Sequence, residues 1–273
     1  MHKIIIGYIL LFVVGMASLP AVAHISYSDR DFGIYDLATG GSSTILHQFV
    51  TGNYGWVDGT DADQGNSHQV LPFRFTLTSA ADVTLSFWED SAMTTNYLGI
   101  EEESILGLIP GFSLYKGLGH LPPDELDYDG APGSLLLRPE NSEGSFVALD
   151  DWSITSSADD SALDASHFTY VGHAYDGEAD YGLGIISGGD GILDNFVSAT
   201  FSLAAGDYSV FVGGSNYWDQ LESNPDFGAR YGLNASFSIA QQVPEPHTFA
   251  LLLAGLGVLS LGKWREQNQL NLC

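Results

Sequence analysis

The chain has 273 residues, with 8 Lys plus Arg against 34 Asp plus Glu and a formal net charge of −26. So acidic a molecule repels nucleic acid and anionic headgroups, whose binding rests on Lys and Arg. The only cysteine is Cys273, which excludes an intrachain disulfide framework, so stability has to come from core burial, aided by any bound metal.

In chain order, residues 1–23 come first. They place Lys3 near the start, an apolar run over residues 4–16, and Ala21-Val22-Ala23 as a small-x-small cleavage site. That is the layout of a secretory signal peptide, with signal peptidase as its processing enzyme. Residues 24–242 are then the exported body, with 5 basic and 32 acidic residues and a charge of about −27. Cleavage after Ala23 makes His24 the first residue of the mature chain. A free α-amine and its imidazole can chelate copper, as in the histidine brace of secreted polysaccharide oxidases. Such a brace needs a second histidine, and the sequence offers His47, His68, His120, His167 and His173 without selecting one. The plainer alternative is an ordinary residue after a cleavage site.

The body shows little helical periodicity and much alternation. "TILHQFV" predicts a first, weak strand. "GNYGWVDG" then offers Tyr54 and Trp56 as rings for sugar stacking, against the commoner role of tryptophan in packing. "DGTDADQGNSH" supplies Asp58, Asp61 and Asp63, the strongest candidate calcium loop, because alternating aspartates place several carboxylates in one tight turn. Solvated turns favour the same residues. "PFRFTLTS" sends Phe73, Phe75 and Leu77 to one face, and "DVTLSFWED" does so with Val83, Leu85 and Phe87. "GFSLYKG" predicts another weak strand. "ELDYDGAPG" offers Glu125, Asp127 and Asp129 to calcium, but the twelfth position is Leu136, not glutamate, so it is no EF-hand.

"VALDDWSIT" and "HFTYVG" predict two further strands, followed by acidic loops with Asp176, Glu178 and Asp180, then Asp190 and Asp194. "FVSATFSLAAGDYSVFVGG" predicts a hairpin turning at Ala205-Gly206-Asp207, with Val197, Ala199, Phe201 and Leu203 answered by Tyr208, Val210 and Val212. "GSNYWDQ" presents Tyr217 and Trp218 as a second candidate sugar-stacking pair. "RYGLNASFSIA" predicts the last long strand, with Tyr231, Leu233, Ala235, Phe237 and Ile239 inward. About nine short strands between Gly/Asp/Asn-rich loops predict an all-β fold, a two-layer antiparallel β-sandwich of jelly-roll type. "FRFTLTSAADVTLSF", "GFSLYKG" and "FSLAAGDYSVFVGG" with "YGLNASFSI" resemble the bacterial pre-peptidase C-terminal (PPC-like) sandwich. That resemblance implies an accessory binding module. There is no G-x-S-x-G elbow, H-E-x-x-H helix or phosphate loop, and the body is expected to be non-catalytic.

Residues 243–273 form the tail. Pro244 and Pro246 hold Glu245 in extended backbone, and residues 249–262 are an uncharged apolar run ahead of Lys263, Trp264 and Arg265. The run predicts a short hydrophobic helix that anchors the C-terminal end at the inner membrane, with the basic flank cytoplasmic. Val243-Pro244-Glu245-Pro246, the apolar run and the basic flank together resemble the PEP-CTERM sorting signal of Gram-negative bacteria. The resemblance implies recognition by exosortase, a membrane-embedded transpeptidase. It also implies a cell-surface or extracellular-matrix location and a link with exopolysaccharide and biofilm. Membrane contact is then confined to the tail before processing.

Overall fold

The computed structural model describes residues 25–57, 65–91, 93–95, 101–119, 146–155, 165–178, 180–182, 184, 186–221 and 229–240. The signal segment, His24 and the whole sorting tail with its expected helix therefore lie outside the described residues, as do Asp58, Asp61, Asp63, Asp127 and Asp129.

Among the described residues the strands are β1 (Asp31–Tyr35), β2 (Gly41–Thr51), β3 (Leu71–Leu77), β4 (Ala81–Asp90), β5 (Met93–Thr95), β6 (Glu101–Glu103), β7 (Pro110–Lys116), β8 (Trp152–Thr155), β9 (Ala165–Tyr175), β10 (Asp180–Tyr181), β11 (Ile186–Ser187), β12 (Phe196–Leu203), β13 (Gly206–Gly214) and β14 (Arg230–Ile239), with a short helix, α1 (Tyr217–Leu221), before the last strand. Two sheets face each other. One has six strands in the order β1-β3-β13-β7-β9-β8, and the other has four in the order β12-β4-β14-β2. All pairings in them are antiparallel except β1 with β3. Two small hairpins, β5–β6 and β10–β11, stand apart. The sandwich architecture predicted from alternation is the one observed. Among the described residues no helix is long and apolar enough to cross a membrane.

Period-two alternation explains the main core. Phe73, Phe75 and Leu77 of β3 meet Val83, Leu85 and Phe87 of β4 and Leu233, Ala235 and Phe237 of β14, all at 5% exposure or less. Phe75 sits 4.8 Å from Phe237, and Phe73 sits 5.6 Å from Phe87. At roughly 1.5–3 kcal/mol for each large apolar side chain buried, this layer is the dominant stabilising term.

The expected hairpin at Ala205-Gly206-Asp207 does not form. β12 pairs with β4 in one sheet, and β13 pairs with β3 and β7 in the other. The short connection crosses between layers, so both strands can aim their apolar alternates into one shared core. The hydroxyl of Tyr208 fastens the crossing by donating to the Ala204 carbonyl at 2.8 Å.

β7 and β13 are buried on both faces. Their outward residues Tyr115 and Phe211 enter a second aromatic cluster with Trp56, Phe146, Trp152, Phe168, Tyr175, Tyr181 and Tyr217. The six-stranded sheet is thus covered by the other sheet on one face and by loops on the other. "VALDDWSIT" contributes a shorter strand than expected, since only Trp152–Thr155 pairs, with β9. The sequence pattern missed β1, whose Phe32 reaches the main core between Phe73 and Phe237.

Candidate functional site

The loops that follow β9 and precede β12 gather at one end of the sandwich. β9 ends at Tyr175, and the next residue, Asp176, is 2% exposed. Its backbone N–H donates to the Pro110 carbonyl at 2.9 Å, which fixes the residue against the start of β7. Asp176 Oδ1 accepts the N–H of Asp194 at 3.0 Å, and Oδ2 accepts that of Asn195 at 2.8 Å. Asn195 has φ 63°, a left-handed conformation asparagine tolerates, which turns its N–H inward. Asp190 Oδ1 accepts the N–H of Ile192 at 3.1 Å, and Gly191 N–H donates to the Gly177 carbonyl at 2.8 Å. These bonds stitch the two acidic loops together.

The result is a carboxylate cluster. Oxygens of Asp176, Asp190 and Asp194 lie within 4.8 Å of one another, the first buried and the other two exposed. Burial pushes the Asp176 carboxyl up to about 6, with Asp190 and Asp194 adding like-charge repulsion and the two N–H bonds opposing the rise. Each Asp176 oxygen uses one acceptor site on the backbone and keeps lone-pair capacity for a cation.

Asp176 also lines a cleft of about 230 Å³, with Glu178, Tyr181, Leu193, Tyr217 and Trp218 among its walls. Helix α1 builds one wall. Asn216 caps it, its Oδ1 accepting the N–H groups of Trp218 at 3.1 Å and Asp219 at 3.3 Å. Tyr217 is buried against Tyr181 with ring centroids 5.4 Å apart. Trp218 stands on α1 and not in the expected loop, with its ring 65% exposed.

Trp56, the other tryptophan proposed for sugar stacking, is wholly buried. That expectation is corrected. Its indole lies over Gly111, where a Cβ would come within 2.7 Å of the ring, and its Cβ and backbone N lie over Gly213, the partner of Gly111 across β7 and β13. Trp56 Nε1 donates to Ser113 Oγ at 2.8 Å, and Tyr175 packs at 5.5 Å. A satisfied, enclosed indole has no face left for a ligand.

The histidines considered as copper partners are scattered. His47, at φ 59° in a bulge of β2, bonds Asp90 Oδ2 through Nδ1 at 2.8 Å. His173 is engaged at both nitrogens, by the Tyr170 hydroxyl and by the Ser187 carbonyl. Burial lowers its pKa, with the bond to the Ser187 carbonyl opposing the shift. His68 and His167 are exposed, and His120 lies outside the described residues.

Sequence reading identified both acidic loops of the cluster but ranked other loops above them. A usable signal was present. "YDG" lies two residues beyond the expected strand "HFTYVG" and "GGDGILDN" directly precedes the next expected strand, so two strand ends bring the loops to one rim.

Residues 242–265 match the family profile of the PEP-CTERM protein-sorting motif. No curated protein matches the chain in sequence. Among solved structures, it is similar to CorA, a surface-associated copper-binding protein important in copper acquisition by Methylomicrobium album BG8. The identity is 15%, over 77% of this chain and 98% of that one, with a TM-score of 0.46. It is also similar to MopE, a secreted protein of Methylococcus capsulatus in which an oxidised tryptophan facilitates copper binding. Here the identity is 17%, over 77% of this chain and 87% of that one, with a TM-score of 0.41.

Proposed function

We propose that this chain, an exported, exosortase-processed surface protein carrying the PEP-CTERM sorting motif, works outside the cell as a non-catalytic binding and structural module of the exopolysaccharide matrix, with Ca2+ ordering its ligand-binding end. The observation that supports this reading is the position of Asp176. It belongs at once to the carboxylate cluster and to the cleft walled by the exposed Trp218.

Calcium takes six to eight oxygens from carboxylates, carbonyls and water. Asp176, Asp190 and Asp194 would supply the anionic ligands, with carbonyls of the glycine-rich loops and water completing the shell. Neutralising the three carboxylates removes their mutual repulsion and rigidifies the rim. Trp218 then offers an apolar ring face to a sugar, and Glu178 offers acceptors to its hydroxyls. The tail acts as a temporary inner-membrane anchor until exosortase acts at the segment around Glu245.

The test is a pair of measurements on the exported protein. Calcium is expected to raise the melting temperature and chelation to lower it, because a ligand held only by the folded form stabilises that form. Retention on a glycan array is expected to fall with Trp218→Ala and in chelator. Identical melting curves with and without calcium, together with array retention that ignores Trp218, would remove the reading.

A further inference from the structure

The outer face of the four-stranded sheet carries a two-dimensional block of hydroxyls. Register places Ser198, Ser86, Ser236 and Thr44 in one row across β12, β4, β14 and β2, and Thr200, Thr84, Ser238 and Ser42 in the next. All eight positions are Ser or Thr. Their strand neighbours Val83, Leu85, Val197, Ala235 and Phe237 point the other way, into the core. Strand geometry spaces such a block at roughly 4.8 Å between strands and 6.8 Å along them.

The rows are internally ordered. Thr84 and Thr200 share a hydroxyl–hydroxyl bond of 2.8 Å, and so do Ser86 and Ser198. Ser198 also reaches the Leu85 carbonyl at 3.3 Å. The first pair therefore keeps one proton to donate outward, while the second presents lone pairs, so neighbouring rows offer opposite polarity. The next cross-strand pair along is Trp88 with Phe196, the latter 40% exposed. The block has no ionisable side chain; Asp82, bonded by Ser202 at 2.6 Å, marks one corner.

We propose that this face docks onto the flat surface of an uncharged, chain-packed pyranose polysaccharide. In a body of charge about −27, an anionic polymer is repelled and a cationic one is drawn to the acidic loops. A neutral polyhydroxylated surface is the partner whose chemistry matches hydroxyls that both donate and accept, with Trp88 and Phe196 against the C–H faces of its rings. A second copy fits poorly. Four strands by three residues present on the order of 350 Å², short of the roughly 800 Å² per partner of a stable interface. This surface is separate from the Trp218 cleft and goes beyond the calcium-dependent reading given above.

The experiment is sedimentation of the exported protein with three insoluble neutral probes, microcrystalline cellulose, β-1,3-glucan and mannan, in calcium and in chelator. Retention on at least one is expected, with little change in chelator or with Trp218→Ala. Thr200→Asp, which puts a charge into the rows, should lower retention at least tenfold. The shape-preserving double variant Thr84→Val with Thr200→Val should lower it at least threefold while leaving the melting temperature nearly unchanged. No retention on any probe overturns the proposal, including the case in which Thr200→Asp instead breaks up a self-associated species. Equal retention of wild type and both variants overturns it too, and loss of retention by chelator or Trp218→Ala assigns binding to the cleft instead.

Discussion

Asp176 Oδ2 receives the backbone N–H of Asn195 at 2.8 Å, and this bond joins the end of β9 to the start of β12 across the sandwich rim. Asn195 in turn reaches Glu89 Oε1 through Nδ2 at 3.2 Å, which links the rim to β4. Asp176→Ala would leave the N–H groups of Asp194 and Asn195 without their acceptor. A loss of about 1–3 kcal/mol is expected in denaturant unfolding, from the desolvation of unmade bonds. The same variant should lose the thermal response to calcium.

The pH dependence follows from the Asp176 carboxyl, raised to about 6 by burial and by its acidic neighbours. Its folded-state value lies above the unfolded one near 3.9. Without calcium, the folded state therefore binds the proton more tightly, and this group's contribution to stability falls as pH rises from about 4 to about 6. Calcium needs the ionised form. The calcium-induced rise in melting temperature should thus be full at pH 7.5 and fade as pH drops through about 6. Melting curves at a series of pH values, with and without calcium, check both signs.

The two tryptophans once grouped as sugar-stacking candidates should now behave oppositely. Trp56→Ala removes a fully buried indole and is expected to cost about 3–5 kcal/mol. Trp218→Ala truncates an exposed ring and should change stability by no more than about 0.5 kcal/mol. Chemical denaturation separates them, and glycan retention should track Trp218 in a protein that remains folded.

Gly111→Ala tests the seat of Trp56 directly. The added methyl meets indole carbons at 2.7–2.8 Å and Ser215 Cβ at 2.9 Å, inside a packed cluster with no room to yield. Overpacking of that kind typically costs about 1–3 kcal/mol. A neutral result in unfolding would mean that the Trp56 ring sits elsewhere.

Processing at the tail is read by intact mass. The exported wild-type protein should lack the apolar run and Cys273, whereas a variant with Pro244→Ala and Pro246→Ala should keep them. Recovery of the full C-terminus on the wild-type surface protein would contradict processing at this motif.

By itself the sequence determined the sorting tail and the layered β architecture. These depend on local properties: runs of apolar residues, paired prolines, and the strict alternation of Phe73, Phe75 and Leu77 or of Leu233, Ala235 and Phe237. It did not decide which sheet each strand joins. Alternation says that Phe201 and Tyr208 face a core, and it is silent on whether β12 and β13 pair with each other or face each other. The unbroken burial of Tyr208–Gly214 was the trace of a strand covered on both faces, since only a covered outer face can take Phe211 as well as Val210. Tertiary structure alone decided the fate of Trp56, because the glycine that admits its ring, Gly111, comes from a strand distant in sequence. It also decided the meeting of Asp176 with Asp190 and Asp194, and the alignment of eight hydroxyls from four separate strands. Each of those depends on register between segments, and register is fixed by the packing of the opposite, buried face.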